Sequence, residues 1–269
     1  MLDFSSKKYV MGIINLTADS FYSQSRYPNL KEALKAAEAM VAKGADIIDV
    51  GGESTRPGAE GVGLAEELER VVPFIREFAR TRQALISVDT RKAAVAQAAL
   101  EAGAHIVNTV SGLRDDDAFI DLVVQADVPV IVMHMRGTPQ TMQENPYYVN
   151  PCQEIIAELE ALLNRLFARG LKKERVILDP GIGFGKRVID NLSILKNLAI
   201  FKALGYPLLV GLSRKSFLGA ITGRPVEERL SATIACHALA LWAGADILRV
   251  HDVAEAVDTL KIVQALLEA

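Results

Sequence analysis

A chain of 269 residues, half of them hydrophobic and 23% charged, is long enough for a large core and too apolar for disorder. Its 30 basic and 33 acidic side chains leave a net charge of −3, which argues against a nucleic-acid coat and leaves room for a local anion site. Two cysteines, Cys152 and Cys236, exclude a disulfide framework and are expected as buried free thiols.

From the N-terminus onward, short apolar runs alternate with segments of helical period. The first ten residues hold no signal-peptide core, and no apolar run approaches the roughly 18 residues of a membrane span, so a soluble, cytoplasmic chain is expected. Strands are predicted at 9–14, 46–50, 85–88, 105–107, 129–133, 176–178, 208–212 and 246–250, nearly all apolar, as strands buried on both faces must be. Between them, Ala33, Ala36, Ala37, Met40 and Val41 step at helical spacing, as do Val71, Phe74, Ile75 and Phe78. Ile155, Ile156, Leu159, Leu162, Leu163, Leu166 and Phe167 build a longer stripe, and a last helix covers 254–269. Lys43-Gly-Ala-Asp-Ile-Ile-Asp, Ala102-Gly-Ala-His-Ile-Val-Asn and Ala243-Gly-Ala-Asp-Ile-Leu-Arg form a weak repeat: a helix ends, a glycine takes the left-handed cap, and a buried strand begins. Eight βα units in about 250 residues predict a (β/α)8 TIM barrel rather than a doubly wound open sheet.

Each predicted strand emerges into a polar residue: Asn15, Asp49 through Glu53, Asp89, Asn108, His134, Asp179, Ser213, and Arg249 with His251. In a barrel these ends converge on one face, which carries the active site. The run Asp179-Pro-Gly-Ile-Gly-Phe-Gly-Lys186 is not a Walker A loop, because its glycine spacing is short and Arg187 stands where Ser or Thr would hold magnesium. Leu212-Ser-Arg-Lys-Ser-Phe217 and Arg249 with His251 offer cationic groups after strands 7 and 8, where barrels often bind phosphate. No cysteine or histidine lies at zinc-ligand spacing, Cys236-His237 reads as helix core, and an oxygen-rich magnesium site shared with a phosphate fits better. Asp89 and Asp179 could accept paired N–H donors from an amino-substituted heterocycle. The residues alone thus define a ligand class and not a reaction.

Met11-Gly-Ile-Ile-Asn-Leu-Thr-Ala-Asp-Ser-Phe21, Asp49-Val-Gly-Gly-Glu-Ser-Thr-Arg-Pro-Gly58, Ser87-Val-Asp-Thr90, Asn108, Met133-His-Met-Arg-Gly-Thr-Pro139, the 179–186 run, Gly211-Leu-Ser-Arg-Lys-Ser-Phe217 and Arg249-Val-His-Asp252 occur in that order. This ordered set, from about residue 9 to 265, resembles the dihydropteroate synthases of folate biosynthesis. The resemblance implies one pterin-binding barrel domain over 1–269, condensation of 6-hydroxymethyl-7,8-dihydropterin diphosphate with p-aminobenzoate, Mg2+, sulfonamide inhibition and a homodimer. Mapped residue by residue, it implies that Asp179, Asn108, Asp89 and Lys215 bind the pterin edges, while Val110, Met133, Phe184 and Gly211 line the ring. Arg249 would stack on the pterin and reach the diphosphate with His251 and Asn15, the last also near the metal. Thr55, Arg56 and Pro57, with Phe21, Phe184, Lys215 and Ser216, would form the p-aminobenzoate pocket.

The first loop departs from the family pattern. Tyr22-Ser-Gln-Ser25 replaces Ser-Asp-Gly-Gly, so Ser23 stands for the loop aspartate, with Asp19 a candidate to compensate. Ala18 replaces a usual proline, and Thr109 an aspartate. The alternatives are a pterin-binding paralogue without synthase activity and, ranked lower, a methyltetrahydrofolate–corrinoid methyltransferase.

Overall fold

The computed structural model describes residues 2–16, 29–54, 61–81 and 83–269. Among them the chain runs β1 (Tyr9–Asn15), α1 (Leu30–Ala42), β2 (Ile47–Gly51), α2 (Leu64–Ala79), β3 (Leu85–Asp89), α3 (Ala93–Ala102) and β4 (Ile106–Thr109). It continues with α4 (Gly112–Asp115), α5 (Asp117–Ala126), β5 (Val130–Met133), α6 (Pro151–Ala168), β6 (Val176–Asp179), α7 (Val188–Lys196) and α8 (Leu198–Lys202). The last elements are β7 (Leu209–Val210), α9 (Ser216–Thr222), α10 (Leu230–Trp242), β8 (Ile247–Val250) and α11 (Val253–Glu268).

The eight strands pair in parallel in the order β6-β5-β4-β3-β2-β1-β8-β7. A bridge from Leu178 to Leu208 closes the ring between β6 and β7. The predicted (β/α)8 barrel is the fold. Its strands are apolar on both faces because each face is covered. Met11, Ile47, Ile106, Ile131, Ile177, Leu209 and Ile247 fill the interior, while Val10, Ile48, Val107, Val130, Val132, Leu178 and Leu248 point outward into the helix layer. Phe4 packs edge-on against Tyr9 with ring centroids 5.3 Å apart, and both pack with the interior cluster.

The three-fold repeat has a physical basis. Gly44, Gly103 and Gly244 take φ of 100°, 115° and 101°, which L side chains rarely adopt. The residue two places on then ties its strand to the preceding one. Asp46 Oδ2 accepts the Val10 N–H at 2.9 Å, Asp246 Oδ2 accepts the Leu208 N–H at 2.8 Å, and His105 Nδ1 accepts the Ile86 N–H at 3.1 Å. Burial lowers the His105 pKa, consistent with a neutral ring that accepts at Nδ1.

Several strands run further than predicted at their C-terminal ends. Asn15, Gly51, Asp89 and Asn108 pair in register with one another along the rim, so polar residues extend the ladder there. β7 is shorter than the predicted 208–212, because the chain leaves the ladder for a turn in which Arg214 takes φ 56°. Cys152 is buried as expected, whereas Cys236 is only half-buried, and both are free thiols.

Candidate active site

Strand periodicity builds the site. Two residues beyond six of the interior core positions, the next inward-facing residue lies at the C-terminal mouth of the barrel. Ile47 is followed by Asp49, Ile106 by Asn108, Ile131 by Met133, Ile177 by Asp179, Leu209 by Gly211 and Ile247 by Arg249. The core residues exclude water, and the residues two places later turn one face of the barrel polar.

Arg249 is the hub. Its Nε donates to Asp49 Oδ2 at 2.6 Å and its Nη2 to Asp89 Oδ2 at 2.8 Å, while Asn108 Nδ2 donates to the same Asp49 oxygen at 3.1 Å. Asp49 is fully buried, and its Oδ1 has no partner. Burial pushes Asp89 up to about 7 against the pull of Arg249, with Asp49 adding to the rise. For Arg249, burial opposes the charge, but Asp49 and Asp89 outweigh it and hold the guanidinium above its ordinary range.

Across the mouth, Asp179 Oδ1 accepts the Gly181 N–H at 2.7 Å. Burial raises its pKa, with Lys215 the largest opposing influence. Lys215 donates to the Ile182 carbonyl, and its ammonium lies 4.7 Å above the Phe184 ring. Burial lowers Lys215 to about 8. A Cβ on Gly211 would stand 3.8 Å from Lys215 Nζ and 3.9 Å from Arg249 Cβ, so this glycine floors the space between the two cations. Val110, Met133, Met135 and Met142 form an apolar wall with Phe184 against it. Asn15 and Asp89 flank Gly51, whose Cβ would meet Asn15 Oδ1 at 3.9 Å and Asp89 Cβ at 3.7 Å. His251 bonds Ser213 Oγ through Nδ1 at 3.0 Å; burial and then Arg249 lower it to about 3, so its imidazole is neutral. Ser216 is exposed at the first turn of α9.

Asn15, Asp89, Asn108, Val110, Met133, Asp179, Phe184, Gly211, Lys215, Arg249 and His251 therefore lie on strands or loops at the C-terminal end of the barrel. Two strand-end candidates have other engagements. Arg214, expected as a cation for an anionic ligand, is 5% exposed and commits its fork to Asp252 and to the Val226 and Glu227 carbonyls. His134 lies between Lys186 and Glu158. Asp19, Phe21, Ser23, Thr55, Arg56 and Pro57 fall outside the described residues. Among the described residues, no cluster of three or more His, Cys, Asp or Glu could hold a metal.

Sequence reasoning passed over two groups. Asp49 was a strand-end carboxylate with no assigned role, yet it holds both Arg249 and Asn108; its signal was a charged residue at an inward position of a buried strand. Lys186 was noted only as the end of a glycine run. It is buried between the His134 ring and the Phe184 carbonyl, and burial lowers it to about 7. A cavity of about 450 Å3 beside Val110 and Met133 continues outside the barrel wall toward Leu113, Leu159 and Leu162. It does not include Asp89, Asp179, Lys215 or Arg249.

A parallel barrel whose mouth joins paired carboxylates, an amide, two half-buried cations and an apolar wall defines a barrel enzyme for a flat, polar-edged, anionic substrate. Residues 11–251 match the model of the pterin binding enzyme family, and the chain belongs to that family. A dihydropteroate synthase of Haemophilus influenzae is 45% identical over 260 residues, spanning 97% of this chain and 94% of the relative. The Yersinia pestis dihydropteroate synthase, solved with a sulfonamide drug, superposes with a TM-score of 0.96 at 41% identity, covering 100% of this chain and 97% of that one. The Xanthomonas albilineans dihydropteroate synthase, solved with 4-aminobenzoic acid, superposes at 0.90 with 40% identity, covering 98% and 94%.

Proposed function

We propose that the chain is a dihydropteroate synthase, a transferase that joins 6-hydroxymethyl-7,8-dihydropterin diphosphate to p-aminobenzoate and releases pyrophosphate and 7,8-dihydropteroate. The observation that carries the reading is the barrel-mouth constellation of Asp89, Asn108, Asp179, Lys215 and Arg249, on a chain whose relatives carry this activity.

The pterin lies against Val110, Met133 and Gly211, with the Asp179 carboxylate accepting from its 2-amino and N3 edge and Asp89, Asn108 and Lys215 meeting the remaining edges. Arg249 stacks on the ring and reaches the diphosphate, where the neutral His251 contributes a hydrogen bond rather than charge. In the reaction the methylene carbon–oxygen bond breaks, its electron pair leaves with pyrophosphate, the amine nitrogen forms the new carbon–nitrogen bond, and that nitrogen loses a proton. An aromatic amine of low pKa is already a free nucleophile near pH 7, so the protein's task is to position it and to hold charge on the leaving group. Phe184, Lys215 and Ser216, with Phe21, Thr55, Arg56 and Pro57, hold the p-aminobenzoate. Sulfonamides compete for that seat, in keeping with the ligand of the Yersinia pestis enzyme.

Mg2+ fits this donor set. The described residues hold no carboxylate cage, and the hard amide oxygen of Asn15 at the rim suits an ion that keeps water and substrate phosphate as its other ligands. When bound, the ion would neutralise charge on the departing pyrophosphate.

No described helix is long and apolar enough to cross a membrane, in keeping with a cytoplasmic enzyme. Leu239 and Trp242 on α10 and Ile262, Leu266 and Leu267 on α11 are exposed apolar side chains, and they support a homodimer through these helices.

The deciding experiment is pyrophosphate release by purified protein with Mg2+ and the pterin diphosphate, with and without p-aminobenzoate. Release that requires p-aminobenzoate, with dihydropteroate identified by mass, is expected. Tight pterin binding without product would overturn the assignment in favour of a non-catalytic pterin binder.

A further inference from the structure

The turn at 181–185 after β6 is glycine-rich yet tied at every carbonyl. Gly181, Gly183 and Gly185 take φ of 66°, 88° and 62°, conformations that glycine adopts freely and that leave such a turn many alternatives. The Gly181 carbonyl accepts from the Phe184 N–H at 3.1 Å, which closes the turn. The other four accept from side chains: Ile182 from Lys215, Gly183 from Gln143 Nε2 at 3.2 Å, Phe184 from Lys186 Nζ at 3.0 Å, and Gly185 from the Tyr148 hydroxyl at 3.0 Å.

Two of those donors, Gln143 and Tyr148, belong to the connection between β5 and α6, and Tyr148 is itself braced. The Arg136 guanidinium lies 3.9 Å over the Tyr148 ring and ties Glu158 and Glu154 of α6. Lys186 also meets His134 Nδ1 at 2.9 Å, and His134 Nε2 meets Glu158 Oε2 at 2.9 Å. Four hydrogen bonds thus fix the backbone on either side of the one aromatic side chain in the turn, Phe184, which sits under the Lys215 ammonium.

We propose that Tyr148, Lys186 and Gln143 are positioning residues that lock the 181–185 turn, so that Phe184 presents a preformed seat for the aromatic ring of p-aminobenzoate. The inference rests on the synthase reading above. None of the three needs to touch substrate. They remove the ordering cost that a loose glycine turn would impose when the second substrate binds. Of the residues assigned to the pterin only Phe184 lies in the turn, and the others are strand-end and loop residues outside it, so the effect falls chiefly on p-aminobenzoate.

The test compares Tyr148→Phe, which deletes one hydroxyl, with Lys186→Met. In Tyr148→Phe the KM for p-aminobenzoate is expected to rise about threefold to tenfold, with kcat and the Kd of the pterin diphosphate within about twofold of the parent. Lys186→Met is expected to raise the same KM by more, and if it does not fold, Tyr148→Phe decides alone. An unchanged KM in Tyr148→Phe overturns the proposal. So does an equal loss of pterin affinity, which would indicate general loosening. A parent enzyme that makes no dihydropteroate would instead refute the synthase reading. Amide hydrogen exchange across 181–186 then still decides whether the turn is locked: faster exchange in Tyr148→Phe supports the lock, and unchanged exchange overturns it.

Discussion

Asp49 and Arg249 lie 200 residues apart in sequence, and their contact sets the chemistry of the site. Charge-assisted hydrogen bonds of this kind contribute roughly 1.5–3 kcal/mol each. Asp49→Asn keeps the shape and one acceptor but removes the charge opposite the guanidinium. It is expected to lower kcat/KM for the pterin diphosphate by about tenfold to a hundredfold, read from steady-state kinetics. An unchanged kcat/KM would mean that Asp89 alone positions Arg249. The same cluster sets the pH dependence. Asp89, raised to about 7 by burial, loses its negative charge as pH falls through that value, and with it the ion pair to Arg249 and the charge that strengthens its bond to the pterin. Lys215, lowered to about 8 by burial, loses its positive charge as pH rises through that value. The profile of kcat/KM should therefore fall on both sides of a narrow optimum between these values. Lys215→Arg, whose guanidinium stays charged, should remove the alkaline limb while leaving the acid one. An alkaline limb that stays in place in that variant would assign it to another group. At position 23, Ser23→Asp restores the residue common in the family's first loop, and a modest rise in turnover is expected; a large drop would count against it.

The repeated helix-to-strand connection is the element that most directly builds the barrel. Gly103 is the sharpest test of it. Its φ of 115° is strained for any L side chain, and a Cβ there would come 2.8 Å from Ala79 Cβ on α2. Gly103→Ala is expected to cost about 1–2 kcal/mol or more of stability in urea denaturation, with kcat unaffected because the connection lies at the end of the barrel away from the mouth. A variant as stable as the parent would show that the helix end repacks freely. β7 teaches the opposite lesson. The apolar run at 208–212 has the composition of a five-residue strand, but only Leu209–Val210 pairs as a strand. Buried apolar residues are needed in a strand and in the turn after it alike, and Leu212 is buried outside the ladder.

For the whole molecule, the apolar faces of α10 and α11 carry the remaining prediction. Trp242 is 60% exposed, Ile262 65% and Leu266 60%, on two helices that pack against each other. Light scattering at micromolar concentration should give a dimer, and Trp242→Asp combined with Leu266→Asp should give a monomer that keeps its fold by circular dichroism. A parent that is already monomeric would remove the assignment.

Local physics made much of this protein legible from its amino acids. Strands buried on both faces must be continuously apolar, so eight short runs marked the barrel. Helices that turn sharply into such strands need glycine at the left-handed position, so Gly44, Gly103 and Gly244 marked the connections. Polar residues directly after a buried strand mark its open end, so Asp89, Asn108, Asp179 and Arg249 could be placed on one face once the barrel was assumed. Pairing could not be read, because it depends on which strands meet when the ring closes. That closure put Asp49 and Asp89 on one guanidinium, turned Arg214 to Asp252 instead of an anionic ligand, and buried Lys186 against His134. Hydrogen bonds and charge shifts depend on distance and on the exclusion of water, and both are properties of the closed barrel rather than of the order of residues along the chain.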